Sequence, residues 1–382
     1  MAFSKRSALA TVSLGVLVSM TALNTTVSAQ EAKTHSAAQA SENSGTMERA
    51  DKDMRRVLTE LQKLGAKPLG SQSVEETRKG PTPADAVKAV LKAEGKDPVT
   101  LMAAMKVTKK DMTYPTAGGT QAVRVYTPEG MGQGPLPVIV YYHGGGWVIA
   151  NLDTYEASVM ALAKKAKAIV VSVEYRHAPE HKFPAAHDDA IAAYEWAVQN
   201  AAQFNGNPEQ IAVAGESAGG NLALNVAIAA RDQKLQEPVH MLLVYPVSGT
   251  DTNTPSYQKN AEAMPLSKAA MEWFVTNTIA KPEDKQDPRL DLVGKADLKG
   301  LPDATVITAE IDPLTSEGKV LADKLKAGGS DVTYKHFDGV THEFFGMDAV
   351  VADAAKAQDL AAKELREAFA ETGKEAGSTS KK

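Results

Sequence analysis

The sequence predicts an α/β fold: a mostly parallel eight-stranded sheet with helices on both faces and a helical cap. Three observations lead there. From about residue 107, short strand-like runs alternate with segments of helical period. From the third strand onward most of those runs are continuously apolar, which suits strands covered on both faces. Two segments, 47–106 and about 247–300, supply helices without strands.

The 382 residues are 23% charged and 43% hydrophobic, which excludes a wholly disordered chain. The net charge of −5 offers no basic excess for nucleic acid. There is no cysteine, so disulfides, thiolate metal sites and cysteine nucleophiles are excluded.

Residues 1–29 read as a signal peptide. Lys5 and Arg6 form a positive start, Leu9 to Leu23 is apolar, and Val27-Ser28-Ala29 is a small-residue cleavage site. The apolar run spans roughly 22 Å at about 1.5 Å per residue, short of a bilayer core of about 30 Å. An uncleaved anchor is therefore the weaker reading. The expectation is a periplasmic or secreted protein with no stable membrane anchor after processing. Residues 30–46 are a polar linker. Met54, Leu58, Leu61 and Leu64 recur at helical spacing over 47–64. Pro83 opens a second helix carrying Ala86, Val87, Val90 and Leu91.

The candidate strands are Val107–Thr113, Ala122–Thr127, Val138–Tyr142, Ala168–Val173, Ile211–Ala214, Met241–Tyr245, Ala304–Ala309 and Val332–Phe337. A short Ala117-Gly118-Gly119 turn pairs the first two antiparallel at an edge. Helices fall near 154–166, 187–201, 218–230, 315–327 and 350–370, the last with a stripe of Val350, Ala354, Ala357, Ala361, Leu365 and Ala368. The core is 107–372. Residues 247–300 are too long for a plain crossover and hold a helix beginning after Ser267. That helix and the N-terminal helices are expected to pack together as a lid over the strand ends. From Gly373 the chain reads as a frayed tail.

Three constellations carry chemistry. Gly215-Glu216-Ser217-Ala218-Gly219-Gly220 lies between a strand and an apolar helix. A turn that tight needs glycine at its flanks, and it lifts the Ser217 hydroxyl off the sheet end at a helix N-terminus. His143-Gly144-Gly145-Gly146-Trp147 follows the third strand; successive glycines leave backbone N–H groups free to hold a developing oxyanion, and the Ala218 N–H adds another. A serine nucleophile needs a histidine base and a carboxylate to fix its tautomer. Of eight histidines, His342 alone follows the last strand in a loop that overlooks the strand ends; Asp312 follows the preceding strand, with Glu310 as its rival.

These residues resemble the hormone-sensitive lipase family of α/β-hydrolases, the bacterial family IV esterases. The resemblance runs from about Met54 to Phe369. It rests on HGGGW at 143–147, YRHAPEHKFPAAHDD at 175–189, GESAGG at 215–220, AEIDPLTSEG at 309–318 and GVTHEFFGM at 339–347. It implies Ser217 as nucleophile, Asp312 as acid and His342 as base, with an oxyanion hole from the N–H groups of Gly145, Gly146 and Ala218. It implies a cap combining N-terminal helices with an insertion after the sixth strand. Three positions depart from the pattern. His177 stands where an apolar residue is usual, Glu216 replaces the commoner Asp, and Glu343 stands where Gly is frequent. Glu343 puts a carboxylate beside His342.

The function expected is a serine carboxylic-ester hydrolase for short to medium acyl esters, without cofactor or metal. Its partner is a small-molecule ester, and its oligomeric state is open. Amide or N-acyl cleavage by the same triad is an alternative; a binding protein without catalysis is another, disfavoured by an intact His342. For export, N-terminal sequencing of protein recovered from periplasm or medium is expected to start at Gln30. A soluble cytosolic chain beginning at Met1 contradicts this.

Overall fold

The computed structural model describes residues 45–132 and 134–379. The signal segment and nearly all of the linker lie outside these residues. From Thr46 onward the chain forms one compact unit. No helix among the described residues is long and apolar enough to cross a membrane.

After a helical turn at 45–49, the described chain forms α1 (Lys52–Lys63), α2 (Val74–Lys79), α3 (Pro83–Ala93) and α4 (Pro98–Ala104) ahead of the sheet. The sheet comprises β1 (Val107–Thr116), β2 (Gly119–Pro128), β3 (Leu136–Tyr142), β4 (Ile169–Val173), β5 (Gly206–Glu216), β6 (Met241–Val244), β7 (Ala304–Ile311) and β8 (Val332–Thr341). Their spatial order is β1-β2-β4-β3-β5-β6-β7-β8. β1 pairs antiparallel with β2 and β2 with β4; every later pairing is parallel.

The central strands are apolar throughout because alternate residues enter different cores. Val138, Val140 and Tyr142 of β3 join Val213 of β5 on one face; Ile139 and Tyr141 join Ala212 and Ala214 on the other. The first face is covered by α6 (Ala185–Asn200), α7 (Ala218–Gln233) and α11 (Thr315–Ala327). The second is covered by α5 (Glu156–Ala166) and α12 (Ala352–Thr379). Between β6 and β7 lie α8 (Pro255–Lys259), α9 (Lys268–Thr278), a 3₁₀ turn at Pro282–Gln286 and α10 (Leu292–Lys295). Helix α9 starts where the Ser267 side chain accepts the Ala270 N–H.

Four expectations need correction. The linker ends earlier than 46, since 45–49 are helical and Thr46 is buried. Residues 373–379, expected as part of a frayed tail, continue α12 instead, and the last three residues lie outside those described. Helices α2 and α4 carry no buried residue, so apolar periodicity had no stripe to find; their signals are the Ser73–Glu76 capping box and the Asp97 cap. The N-terminal helices do not bury their stripes on α9. Met54, Val57 and Leu58 of α1 and Ala86, Val87 and Val90 of α3 enter the same core as Phe344, Phe345 and Ala263, whereas Phe274 of α9 enters the opposite one. The contact with α9 comes from the connection after α1, where Gly70 lies against Trp273.

Leu365 on α12 is fully buried. Leu365→Ala is expected to cost about 2–5 kcal/mol of stability, read as a lower urea midpoint.

Candidate active site

The turn from β5 into α7 is built by exclusion of side chains. A Cβ on Gly215 would overlap the Gly219 carbonyl, and one on Gly219 would overlap the Tyr142 carbonyl at the end of β3. Ser217 between them has φ 58° and ψ −119°, a conformation strained for a residue with a Cβ. Its N–H donates to Val244 O (2.9 Å) and its carbonyl accepts from the Val247 N–H (3.1 Å). These bonds tie the turn to β6 and hold the strain.

The sequence-predicted residues meet here. Ser217 Oγ lies 2.9 Å from His342 Nε2, and His342 Nδ1 lies 2.7 Å from Asp312 Oδ2. The second Asp312 oxygen accepts the Leu314 N–H at 2.9 Å. Because a buried carboxylate accepts only, Nδ1 carries the proton and Nε2 is left to accept from the serine. All three residues are at least 96% buried, with exposures of 4% for Ser217, 3% for His342 and 0% for Asp312. Glu310 does not reach His342; its carboxylate takes the Gly339 N–H and pairs with Lys259 and Arg49.

The glycine loop runs beside the turn. Among the described residues, the N–H groups of Gly145 and Gly146 donate to no backbone or side-chain acceptor. Ala218 is the first residue of α7, so its N–H has no intrahelical partner. Gly146 is pinned from above: a Cβ there would strike the Phe274 ring, and the Thr278 hydroxyl donates to its carbonyl at 3.3 Å.

Burial by itself pulls the His342 pKa down. The Asp312 charge and hydrogen bond, with Glu343 and Glu216 behind them, outweigh it and hold the imidazole above its ordinary value. Glu343 Oε1 stands 4.0 Å from His342 Nε2 and accepts from the Tyr155 hydroxyl at 2.6 Å. Burial pushes the Glu343 carboxyl up, against the pull of His342 and Tyr155. Glu216 is buried and accepts from Tyr141 (2.6 Å) and Tyr245; burial first, then the Glu343 charge, push its carboxyl up to about 7.

Periodicity and motif did not find the residues that steady the acid loop. Asn260 in the insertion donates to the carbonyls of Asp312 (2.8 Å) and Glu310 (3.1 Å). Ser256 on α8 donates to Pro313 O at 2.6 Å. Neither sits in a recognisable spacing, so the sequence holds no signal for them.

A serine, histidine and aspartate so joined at the strand ends of an open α/β sheet define a serine-hydrolase-type site. An alpha/beta hydrolase fold family matches residues 139–346. The chain belongs to that family, within its hormone-sensitive-lipase-like branch. It is 40% identical over 267 residues to the carboxylesterase NlhH of Mycobacterium tuberculosis, covering 69% of this chain and 82% of that one. It is 34% identical over 248 residues to an ethyl acetate hydrolase of Pseudomonas putida, covering 64% and 78%. Among solved structures, a thermostable carboxylesterase cloned from a metagenomic library superposes with a TM-score of 0.69 at 35% identity, covering 78% of this chain and 98% of that one.

Glu343→Gln removes one of the negative charges that favour the His342 imidazolium. The histidine's titration midpoint, followed by proton NMR, is expected to move to lower pH; a midpoint that rises or stays contradicts this account of its surroundings.

Proposed function

We propose that the chain is an exported serine carboxylic-ester hydrolase acting on short to medium acyl esters. The observation that carries the mechanism is the continuous hydrogen-bonded line from Ser217 Oγ through His342 to Asp312. In this reading His342 Nε2 takes the Ser217 proton as Oγ attacks the ester carbonyl. Asp312 holds the tautomer and offsets the imidazolium charge. The N–H groups of Gly145, Gly146 and Ala218 receive the oxyanion. Collapse expels the alcohol with the proton from His342 and leaves an acyl-serine. Water, deprotonated by the same imidazole, then attacks that ester, and Ser217 leaves as the free hydroxyl.

The relatives' names support the ester as substrate class, since they are a carboxylesterase and an ethyl acetate hydrolase. One feature supports short to medium acyl chains. The exposed large hydrophobic residues among those described, such as Leu64, Val99 and Val320, carry no aromatic ring, so nothing resembles a face for an insoluble lipid surface. In this reading the insertion and the segment before the sheet act as a cap over the strand ends.

The test is a chain-length series of chromogenic esters with a matching amide. Ser217→Ala is expected to lower turnover by about 10⁴-fold or more and to abolish the mass adduct formed by an organophosphate. Asp312→Asn is expected to cut turnover strongly with the fold retained, and Glu310→Gln far less. A reversed outcome for those two variants assigns the acid to Glu310, and full activity in Ser217→Ala removes the proposal. His342 must be neutral to accept the proton, so hydrolysis is lost as pH falls through its raised pKa. In Glu343→Gln the acid limb of the pH–rate profile is therefore expected to move to lower pH.

A further inference from the structure

The floor of the glycine loop holds a second cluster that hydrolysis does not use. His143 ends the run into the loop, and Glu174 and His177 follow β4. Glu174 Oε1 stands 3.7 Å from His143 Nε2 and 3.4 Å from His177 Nε2. One donor atom from each of the three lies within 4.8 Å of the others. His143 is completely buried, and neither Nε2 has a hydrogen-bond partner.

The hydrogen-bonding pattern leaves both facing ring nitrogens without a partner. His143 Nδ1 faces the Gly144 carbonyl at 2.8 Å. A carbonyl only accepts, so Nδ1 carries the hydrogen and a neutral His143 presents a bare lone pair at Nε2. That nitrogen lies 3.7 Å from a Glu174 carboxylate oxygen and the His177 nitrogen 3.4 Å from the same atom, and neither forms a hydrogen bond to it. The other Glu174 oxygen is occupied by the Leu152 N–H at 3.2 Å. Something positive belongs at the point of convergence. Two imidazole nitrogens and one carboxylate oxygen suit a borderline divalent transition ion, and His143 and Glu174 are each oriented by a bond on the far side. The surroundings are stiff: Tyr175 stacks on His143 at 4.4 Å between ring centres, and its hydroxyl donates to the His143 carbonyl at 2.9 Å. The nearby cation Arg78 is neutralised by Glu180, which it grips with both nitrogens at 2.7 and 2.8 Å.

We propose that His143, Glu174 and His177 bind a divalent transition-metal ion of the zinc class, which clamps the root of the oxyanion loop to the end of β4. This goes beyond ester hydrolysis and does not depend on it. The ion touches none of the reacting atoms; its role is to fix the position of the segment that carries the Gly145 and Gly146 N–H groups. His177 is decisive, because an apolar residue there would leave only two ligands.

The experiment uses the mature chain stripped with a chelator. Titration with Zn²⁺ is followed by calorimetry, and Co²⁺ is added separately to read its d–d absorption. The expected result is one ion per chain, a melting temperature raised by several degrees and reversed by chelator, and a Co²⁺ spectrum of low-coordinate type. In His177→Leu, Zn²⁺ affinity is expected to fall at least tenfold and the Co²⁺ bands to vanish. Should that variant fail to fold, His177→Gln, which keeps a polar side chain, is expected to show the same losses. The proposal is overturned if the wild type takes up no stoichiometric ion. It is equally overturned if the His177 variant that folds binds as the wild type does, which places the ion elsewhere.

Discussion

The arrangement depends on one steric contact, the approach of the Gly219 α-carbon to the Tyr142 carbonyl. Tyr142 closes β3 and leads directly into the glycine loop, while Gly219 lies two residues past Ser217. The same contact therefore sets the height of the serine and the position of the N–H groups opposite it. Neither can shift alone. A methyl group in that gap would push β5 and β3 apart, and the loss would fall on the site before the sheet. The strain at Ser217 is tolerated because hydrogen bonds to β6 and to the segment after it hold both sides of its backbone.

Around that anchor the protein has buried more negative charge than the chemistry needs. Asp312 alone orients His342, yet Glu216 and Glu343 also face it, each hydrogen-bonded by tyrosine. Desolvation raises both carboxyl groups, and the Glu343 charge adds to it at Glu216 and the Asp312 charge at Glu343. In the proposed mechanism the imidazolium formed during proton transfer gains from each of them. The cost is a base that is harder to keep neutral. The site trades performance in acid for a better-stabilised charged intermediate.

Much of this was legible in the sequence because the constraints are local. The β5–Ser217–α7 turn needs glycines at fixed offsets, and strands buried on both faces must be apolar at every position, so both leave a pattern in one dimension. Asp312 and His342 were legible through their place after β7 and β8. What failed was whatever depends on partners far along the chain. The pairing of α1 and α3 with Phe344 and Phe345 rather than with α9 cannot be read from their stripes, since a stripe says that a face is buried and not against what. The run to Thr379 was missed because Gly373 reads as a stop while the helix passes through it. Asn260 and Ser256 are ordinary polar residues until the fold brings them under the acid loop.

Those two residues bear on how the protein can be altered. The segment between β6 and β7 looks like a removable accessory on the sheet core. Yet Asn260 and Ser256 brace the backbone on either side of Asp312, and Glu317 on α11 holds the Ser248 and Gly249 N–H groups where the segment begins. Chimeras that exchange this segment among relatives to change selectivity would import a foreign scaffold for the acid along with a foreign pocket wall. Under the proposed mechanism, substrate range and proton transfer are thus inherited together, and grafts must carry the asparagine and serine across to separate them.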